Sequence, residues 1–153
     1  MFLLFLQLLS SQIYDGKVIG VTDGDTITVL VGKEQKKIRL AEIDAPEKSQ
    51  AFGNLAKMML SEKVFGKEVR VTVTDKDRYG RYVGKVTYNG RNINEEMVKE
   101  GFAWHYRQYS HNPEMALAEY EARRNMFGLW QLPATAPWEY RKQPKSSSKS
   151  KKK

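Results

Sequence analysis

The turn that decides the fold lies in residues 38–47, which read IRLAEIDAPE. The stretch begins as a β-like run, and Pro46 ends it, because proline disfavours helical geometry at the residue before it and cannot donate to a strand ladder. Arg39, Asp44 and Glu47 all lie within these ten residues. The stretch therefore predicts a strand end at which the guanidinium group of Arg39 lies near the carboxylates of Asp44 and Glu47.

Short predicted strands flank this stretch on both sides. Residues 17–23 and 26–31 are predicted as two strands joined by an Asp-Gly-Asp turn, and residues 36–43 as the third. Residues 69–73 alternate valine with polar residues and predict a fourth strand, and residues 81–88 predict a fifth. An Asn-Gly pair, typical of a tight turn, follows the fifth strand.

Helical signals separate and follow these strands. Apolar residues at helical spacing predict an amphipathic helix over residues 49–64. Asn94 is expected to cap a short helix that Gly101 closes. Pro113 is expected to begin a final helix that Gly128 ends, with one apolar face made of Met115, Ala118, Ala122 and Met126. The pairs Leu129-Trp130 and Pro137-Trp138 are expected to fold back as apolar latches.

Five short strands with one helix between the third and fourth predict an α+β fold that is mainly β. The expected architecture is a five-stranded OB-type barrel with about three packed helices, a fold that presents charged and aromatic groups to nucleic acids. Residues 15–142 are assigned to this domain. Residues 1–14 are assigned to a hydrophobic leader, and residues 143–153 to a tail of lysine and serine that cannot support a core.

Composition limits the classes of function. The 153 residues suggest one domain, and 41% of them are hydrophobic, enough to fill a core. The net charge is +8, but the last nine residues hold five lysines and no acid, so residues 1–144 carry only +3. The lysine tail either attracts polyanions or only aids solubility. The absence of cysteine excludes disulfides, thiolate zinc sites and cysteine nucleophiles.

Residues 1–9, MFLLFLQLL, are strongly apolar. Their length suits the apolar region of a secretory signal and is too short to span a bilayer. We therefore expect a secreted or periplasmic protein. The alternative is an N-terminal strand or helix that packs on the domain.

Acidic side chains at two strand ends predict a site for a hard divalent cation. Asp25 and Asp44 end two different predicted strands, which a barrel can bring together, and the backbone carbonyl of Ala45 is a natural third ligand. Without a cluster of histidine or cysteine, such oxygen ligands favour Ca²⁺ or Mg²⁺ over zinc. Taken alone, the two aspartates would more often be turn or cap residues.

Further polar residues fit phosphodiester chemistry. Glu47 is expected to accept a proton from an attacking water or to orient that water. Arg39 and Arg81 are expected to grip the phosphate, because forked donors match the charge that develops on its oxygens. A structural ion pair is the alternative for either arginine.

Aromatic side chains are candidates for substrate contacts. Tyr79, Tyr106 and Tyr109 are expected to stack on bases or to contact phosphate, as in many nucleic-acid grooves. Trp104 belongs either to this group or to the core.

These segments, in this order, resemble the staphylococcal nuclease (thermonuclease) family. The similarity extends from about residue 17 to residue 130. The matching pieces are residues 21–26 (VTDGDT), 39–47 (RLAEIDAPE), 77–81 (DRYGR), 94–101 (NEEMVKEG) and 128–130 (GLW).

The resemblance implies a calcium-dependent endonuclease that cleaves DNA and RNA with little sequence preference, leaving 3′-phosphate and 5′-hydroxyl ends. By analogy Asp25, Asp44 and the Ala45 carbonyl look like calcium ligands, and Glu47 looks like the residue that activates water. Arg39 and Arg81 look like the phosphate-binding pair. Tyr79 is similar to a tyrosine near the phosphate, and Tyr106 or Tyr109 to one that meets the base.

The sequence departs from the family at two places. Ala45 replaces a threonine of the best-known member, and the segment between Glu47 and the first helix is too short for a long loop over the site. A non-catalytic module on the same barrel, binding nucleic acid or protein, is the alternative function. The complete set of three acids and two arginines favours catalysis, and a monomer is expected.

Overall fold

The computed structural model describes residues 12–145. The predicted leader before residue 12 and the tail from residue 146 onward lie outside the described residues. Residues 12–14, which the sequence assigned to the leader, instead lie in the first strand and pair with residues 71–73. No helix within residues 12–145 has the length and apolar character needed to cross a membrane.

The described chain contains eight strands, four α-helices and one short 3₁₀ helix. In chain order they are β1 (Gln12–Asp23), β2 (Thr26–Val31), β3 (Glu34–Leu40), β4 (Ile43–Asp44), α1 (Gly53–Val64), β5 (Glu68–Lys76), β6 (Tyr82–Tyr88), β7 (Arg91–Asn92), α2 (Ile93–Lys99), β8 (Trp104–His105), α3 (Pro113–Arg124), the 3₁₀ helix (Gly128–Gln131) and α4 (Pro137–Lys142).

Five of these strands form a closed barrel. The sheet runs in the order β3-β2-β1-β5-β6 through antiparallel pairs, and a parallel pairing of β3 with β6 closes it. This confirms the predicted mainly β, OB-type barrel. The short strands β4 and β8 pair outside the barrel, and α4 adds a fourth helix to the roughly three that the sequence predicted.

The hydrophobic core fills the barrel and extends beneath the helices. Branched side chains from every barrel strand are fully buried, as the alternating patterns require, because burial of apolar surface is the main force that holds such a sheet closed. The helices α1, α2 and α3 cover the core with Leu60, Met97 and Met115, each at most 1% exposed.

The predicted third strand, residues 36–43, ends earlier than expected. Glu42 adopts a positive φ of 69°, which turns the chain out of the ladder after Leu40. Ile43 and Asp44 then form β4 and pair with β8. The turn therefore gives Asp44 a strand of its own, outside the barrel wall.

The first helix begins at Gly53 rather than at residue 49. Consecutive turns precede it, in which Gln50 N–H donates to the Glu47 carbonyl over 2.8 Å and Gly53 N–H donates to the Gln50 carbonyl over 3.0 Å. Phe52, with φ of 66°, ends these turns in the left-handed region. The segment after Glu47 is thus a compact turn packed on the fold.

The predicted cap of α2 was wrong by two residues. Asn92 is the N-cap, and its side chain accepts a hydrogen bond from Glu95 N–H. Asn94 is buried inside the fold, where it accepts a bond from Val86 N–H and donates to two carbonyl groups. Asn94 therefore links α2 to β6 and to the segment after β3.

The C-terminal part of the fold differs from the prediction at the end of α3 and agrees with it at the two latches. Helix α3 ends at Arg124, and Met126 is 63% exposed, so the predicted apolar face stops at Ala122. The two predicted latches do fold back: the rings of Trp130 and Trp138 lie 4.4 Å and 5.4 Å from the ring of Trp104. Trp104 thereby joins β8, the 3₁₀ helix and α4.

Candidate metal and phosphate site

The turn between β1 and β2 brings Asp25 to the strand end that follows β3. A Cβ atom added at Gly24 would lie 2.7 Å from the Cβ of Ala56 and 2.8 Å from that of Ala45, so only glycine fits where this turn meets α1. Asp25 Oδ2 accepts a 2.7 Å hydrogen bond from Ala45 N–H, and Oδ1 accepts one from the Thr26 hydroxyl. Asp25 is thus fixed beside the chain segment that carries Asp44.

The carboxylates of Asp25 and Asp44 converge on one arginine. The Nη2 atom of Arg39 lies 3.3 Å from Asp25 Oδ2 and 3.3 Å from Asp44 Oδ1. Its Nη1 atom donates to the carbonyls of Leu40 and Ile43, each over 2.8 Å. Backbone groups therefore hold the guanidinium in place, and two nearly buried acids share its positive charge.

Asp23 and Asp25 lie close enough together that they compete for one proton. Burial, followed by the charge of Asp25, raises the pKa of Asp23 to about 7. Burial acts in the same direction on Asp25, but Arg39 and hydrogen bonds from Asp23, Ala45 and Thr26 outweigh it, so the pKa of Asp25 lies below its ordinary value. Asp23 therefore takes up a proton first, and Asp25 remains the ionised member of the pair.

A second guanidinium, that of Arg141 in α4, contacts Asp44 and Glu47. Its Nη2 donates to Asp44 Oδ2 over 2.7 Å, and its Nη1 donates to Asp44 Oδ1 over 3.1 Å and to Glu47 Oε1 over 2.7 Å. Burial raises the pKa of Asp44, and these bonds act against that rise. Arg141 itself has its pKa raised by the two carboxylates.

Arg81 lies in the loop before β6 and does not join this cluster. Its Nε donates to Asp77 Oδ2 over 2.6 Å, and its backbone N–H donates to the other oxygen of the same carboxylate. Two residues further on, Val83 lies opposite Arg39 in the pairing that closes the barrel. The loop thus ends near the site, and among the described residues the ion-pair partner of Arg81 is Asp77.

The predicted substrate tyrosines occupy two regions. Tyr79 is 71% exposed, and the guanidinium carbons of Arg78 and Arg81 lie 5.1 Å and 5.6 Å from its ring centre. Tyr106 is half-buried, and Tyr109, 71% exposed, meets its ring edge-on at 4.8 Å. Burial and then the charge of Asp44 raise the pKa of Tyr106, which places that phenol near the carboxylates.

The acids present supply part of a shell for a hard cation. The carboxylates of Asp25 and Asp44 both contact the guanidinium of Arg39, and Asp44 also contacts that of Arg141. These two guanidinium groups occupy positions at which the carboxylates would attract a cation. In residues 12–145 no cluster of three or more His, Asp or Glu side chains has metal-binding spacing. Because Ca²⁺ takes about six to eight oxygen ligands, two aspartates alone would leave most of its shell to backbone carbonyls and water.

The structure unites part of the predicted site. Arg39, Asp25, Asp44 and Glu47 come together, and the Ala45 N–H contacts Asp25, whereas a role for the Ala45 carbonyl stays a prediction. Sequence reasoning missed the guanidinium of Arg141, and it expected Trp138 to be an apolar latch rather than a neighbour of the site. No local signal assigns Arg141 to the site, because it is 97 residues from Asp44.

Comparisons with known proteins match a family and several individual relatives. Residues 37–132 match the family described as staphylococcal nuclease homologue. An uncharacterized endonuclease of Haemophilus influenzae is 51% identical over 115 residues, 74% of this chain and 65% of that protein. The micrococcal nuclease of Shigella flexneri is 44% identical over 147 residues, 88% of this chain and 84% of the relative. A staphylococcal-like nuclease of Arabidopsis thaliana is 44% identical over 107 residues, 69% of this chain and 33% of the plant protein.

Proposed function

We propose, because the chain belongs to the staphylococcal nuclease homologue family, that it is a calcium-dependent endonuclease. Its substrates are DNA and RNA, cleaved with little sequence preference to 3′-phosphate and 5′-hydroxyl ends. The observation that carries the proposal is the convergence of Asp25 and Asp44 on Arg39, with Glu47 beside them on the second guanidinium.

The residues that would hold the cation are Asp25 and Asp44, with the Ala45 carbonyl beside them. When bound, Ca²⁺ neutralises phosphate charge and lowers the energy of the transition state. Asp25 suits this role because its pKa lies below the ordinary value, so it is ionised at neutral pH. Its hydrogen bonds to Ala45 and Thr26 fix the direction of the carboxylate.

Glu47 is the proposed proton acceptor. Its carboxylate shares the Arg141 guanidinium with Asp44, which places it next to the proposed cation ligands. At 36% exposure its side chain remains open to solvent, so a water can reach it. Glu47 takes the proton of the attacking water, and the 5′-oxygen departs on the opposite side of phosphorus.

Arg39 is the proposed primary phosphate contact. The carbonyls of Leu40 and Ile43 hold one end of its guanidinium before substrate arrives. A donor that is already positioned needs no reorganisation as charge develops on the phosphate oxygens. Arg81 adds a second fork from the loop before β6.

The first test is digestion of plasmid DNA and of RNA with calcium and with EGTA, followed by identification of the product ends. Glu47→Gln keeps the size and a hydrogen-bonding group but cannot accept the proton. We expect its kcat to fall by about 10²–10⁴. Glu62→Gln, on the exposed face of α1, is the matched control and should cleave at the wild-type rate.

Two results would contradict the proposal. Undiminished cleavage in EGTA would remove the calcium requirement, and undiminished cleavage by Glu47→Gln would remove the proposed base. Tight binding of single strands without cleavage under calcium would instead support a binding module.

A further inference from the structure

Arg141, near the end of the described residues, binds two of the proposed site residues. Arg141 engages both carboxylate oxygens of Asp44 and one oxygen of Glu47 through three hydrogen bonds of 2.7–3.1 Å. The Asp44 side chain is 2% exposed, and that of Arg141 is 39% exposed. The fork of a basic side chain thus covers the proposed cation ligand and the proposed base together.

An aromatic contact from the same helix, which involves no charged group, covers Tyr106. The indole of Trp138, three residues before Arg141, stacks on the ring of Tyr106 at 5.5 Å with an angle of 5° between the planes. Trp138 also meets Trp104 edge-on. One face of an aromatic ring that was predicted to receive a base is therefore covered by the same short segment.

Buried residues and hydrogen bonds hold this segment against the fold. Ala136 and Pro137 are buried, the Tyr140 hydroxyl lies 3.0 Å from the Ser49 hydroxyl, and the Gln50 side chain donates to the Thr135 carbonyl. Helix α4 has only six residues, and helices this short are not stable without tertiary contacts. Its position therefore depends on all of these contacts, among them those that Arg141 and Trp138 make with the site.

We infer that residues 135–142 act as an intramolecular competitor of the substrate complex, with Arg141 in competition with the divalent cation and Trp138 in competition with a base. This inference rests on the proposed function. The physical reason is that the oxygens of Asp44 that bind the guanidinium fork are the oxygens that a cation requires. A cation then binds only the fraction of molecules in which the segment has moved away, and its apparent affinity falls by that fraction.

Calorimetric titration with CaCl₂ tests the competition directly. Arg141→Ala removes the guanidinium group and leaves the Trp138 side chain unaltered. We therefore expect this variant to bind calcium about tenfold more tightly than the wild type does. Lys142→Ala is the matched control, because it removes one positive charge from the same helix without a contact to Asp44 or Glu47. Its calcium affinity should remain within about twofold of the wild type, as screening of an exposed charge predicts.

Amide hydrogen exchange follows the movement of the segment itself. The N–H groups of Glu139 and Tyr140 donate to the Ala136 carbonyl, and that of Gln143 donates to the Tyr140 carbonyl. Calcium together with a short single-stranded oligonucleotide whose linkages resist hydrolysis should accelerate exchange at these three amides in the wild type. In Arg141→Ala the same amides should exchange rapidly without either ligand.

The outcomes separate this inference from the proposed function. Equal calcium affinity of wild type and Arg141→Ala, with calcium bound by both, overturns the competition and leaves the metal site intact. Weaker binding by Arg141→Ala overturns it as well, since Arg141 would then support the site. No calcium binding by either protein overturns both proposals. Tighter binding by Arg141→Ala alone, with faster exchange, supports the inference.

Discussion

At the scale of single residues, the site depends on how each arginine is held. The carbonyls of Leu40 and Ile43 fix Arg39 beside two buried acids. Arg81 depends on one carboxylate, that of Asp77, and lies in a more exposed loop. The two arginines of the predicted pair therefore differ: Arg39 is part of the fold, and Arg81 is free to be tested with little risk to the fold.

Substitution of Arg81 is the cleaner test of phosphate contact. Arg81→Ala should lower kcat/KM for DNA by about 10²–10³, the usual cost of losing one such donor. Arg78→Ala is the matched control, because Arg78 lies in the same loop and contacts the same tyrosine ring. If both variants lose the same activity in initial-rate assays, the effect is the general charge of the loop, and the assigned role of Arg81 is contradicted.

At the scale of elements, the two asparagines near the start of α2 have different structural roles. Asn92 caps the helix with one hydrogen bond, whereas Asn94 joins three backbone groups inside the fold. Both asparagines precede glutamates, but only Asn92 has one three residues later, at Glu95, which is the spacing of a capping box. That spacing agrees with Asn92 as the cap of a helix that starts directly after β7.

The two asparagines should therefore differ in their effect on stability. Asn92→Ala should lower the free energy of unfolding by about 1 kcal/mol, as loss of a cap does. Asn94→Ala should cost more, because each buried backbone group left without a partner costs about 1–3 kcal/mol. Urea denaturation of both variants measures the order. Equal losses, or a greater loss for Asn92→Ala, would contradict the assignment.

Elements also show which features could be predicted from the sequence. Alternation predicts β5 and β6, and the Asn-Gly pair predicts the turn after β6, where Asn89 and Gly90 have φ values of 49° and 75°. These features depend on neighbouring residues. The break after Leu40 was not predictable in the same way, because the positive φ of Glu42 goes with contacts to Ser110 and Asn112, about 70 residues away.

At the scale of the whole molecule, the site depends on chain segments that are distant in sequence. The barrel brings Asp25 to Asp44, and the paired strands β4 and β8 carry Asp44 to the tryptophan cluster on which α4 packs. Sequence patterns predict the first of these approaches, since they place both aspartates at strand ends, although Asp44 lies in β4 outside the barrel. They also predict that Pro137-Trp138 folds back, but not that Arg141 reaches Asp44, because nothing in the sequence pairs these two residues.

A buried histidine makes the stability of this arrangement depend on pH. His105 in β8 lies with Nε2 3.0 Å from the Ser110 hydroxyl, which donates to Glu42, and its Nδ1 has no hydrogen-bond partner within residues 12–145. Burial, more than the nearby charges, lowers the pKa of His105. The unfolded chain therefore binds the proton first, and folding stability is lost as the pH falls below about 6.5.

The corresponding prediction compares two histidine variants. The wild-type free energy of unfolding should fall from pH 7 to pH 5 more steeply than that of His105→Gln, by up to about 1.4 kcal/mol per pH unit. His111→Gln is the control, because His111 is exposed, and it should follow the wild type. Urea denaturation at several pH values gives the slopes. A slope for His105→Gln equal to that of the wild type would show that His105 is not the group responsible.

The proposed chemistry requires a single divalent cation held between Asp25 and Asp44. An anomalous difference map from a crystal grown with calcium would show whether that cation is present. We expect one peak coordinated by oxygens of both carboxylates, with the Arg141 guanidinium displaced from Asp44. A map without a peak between the two carboxylates, with both guanidinium groups still in contact with them, would contradict the account.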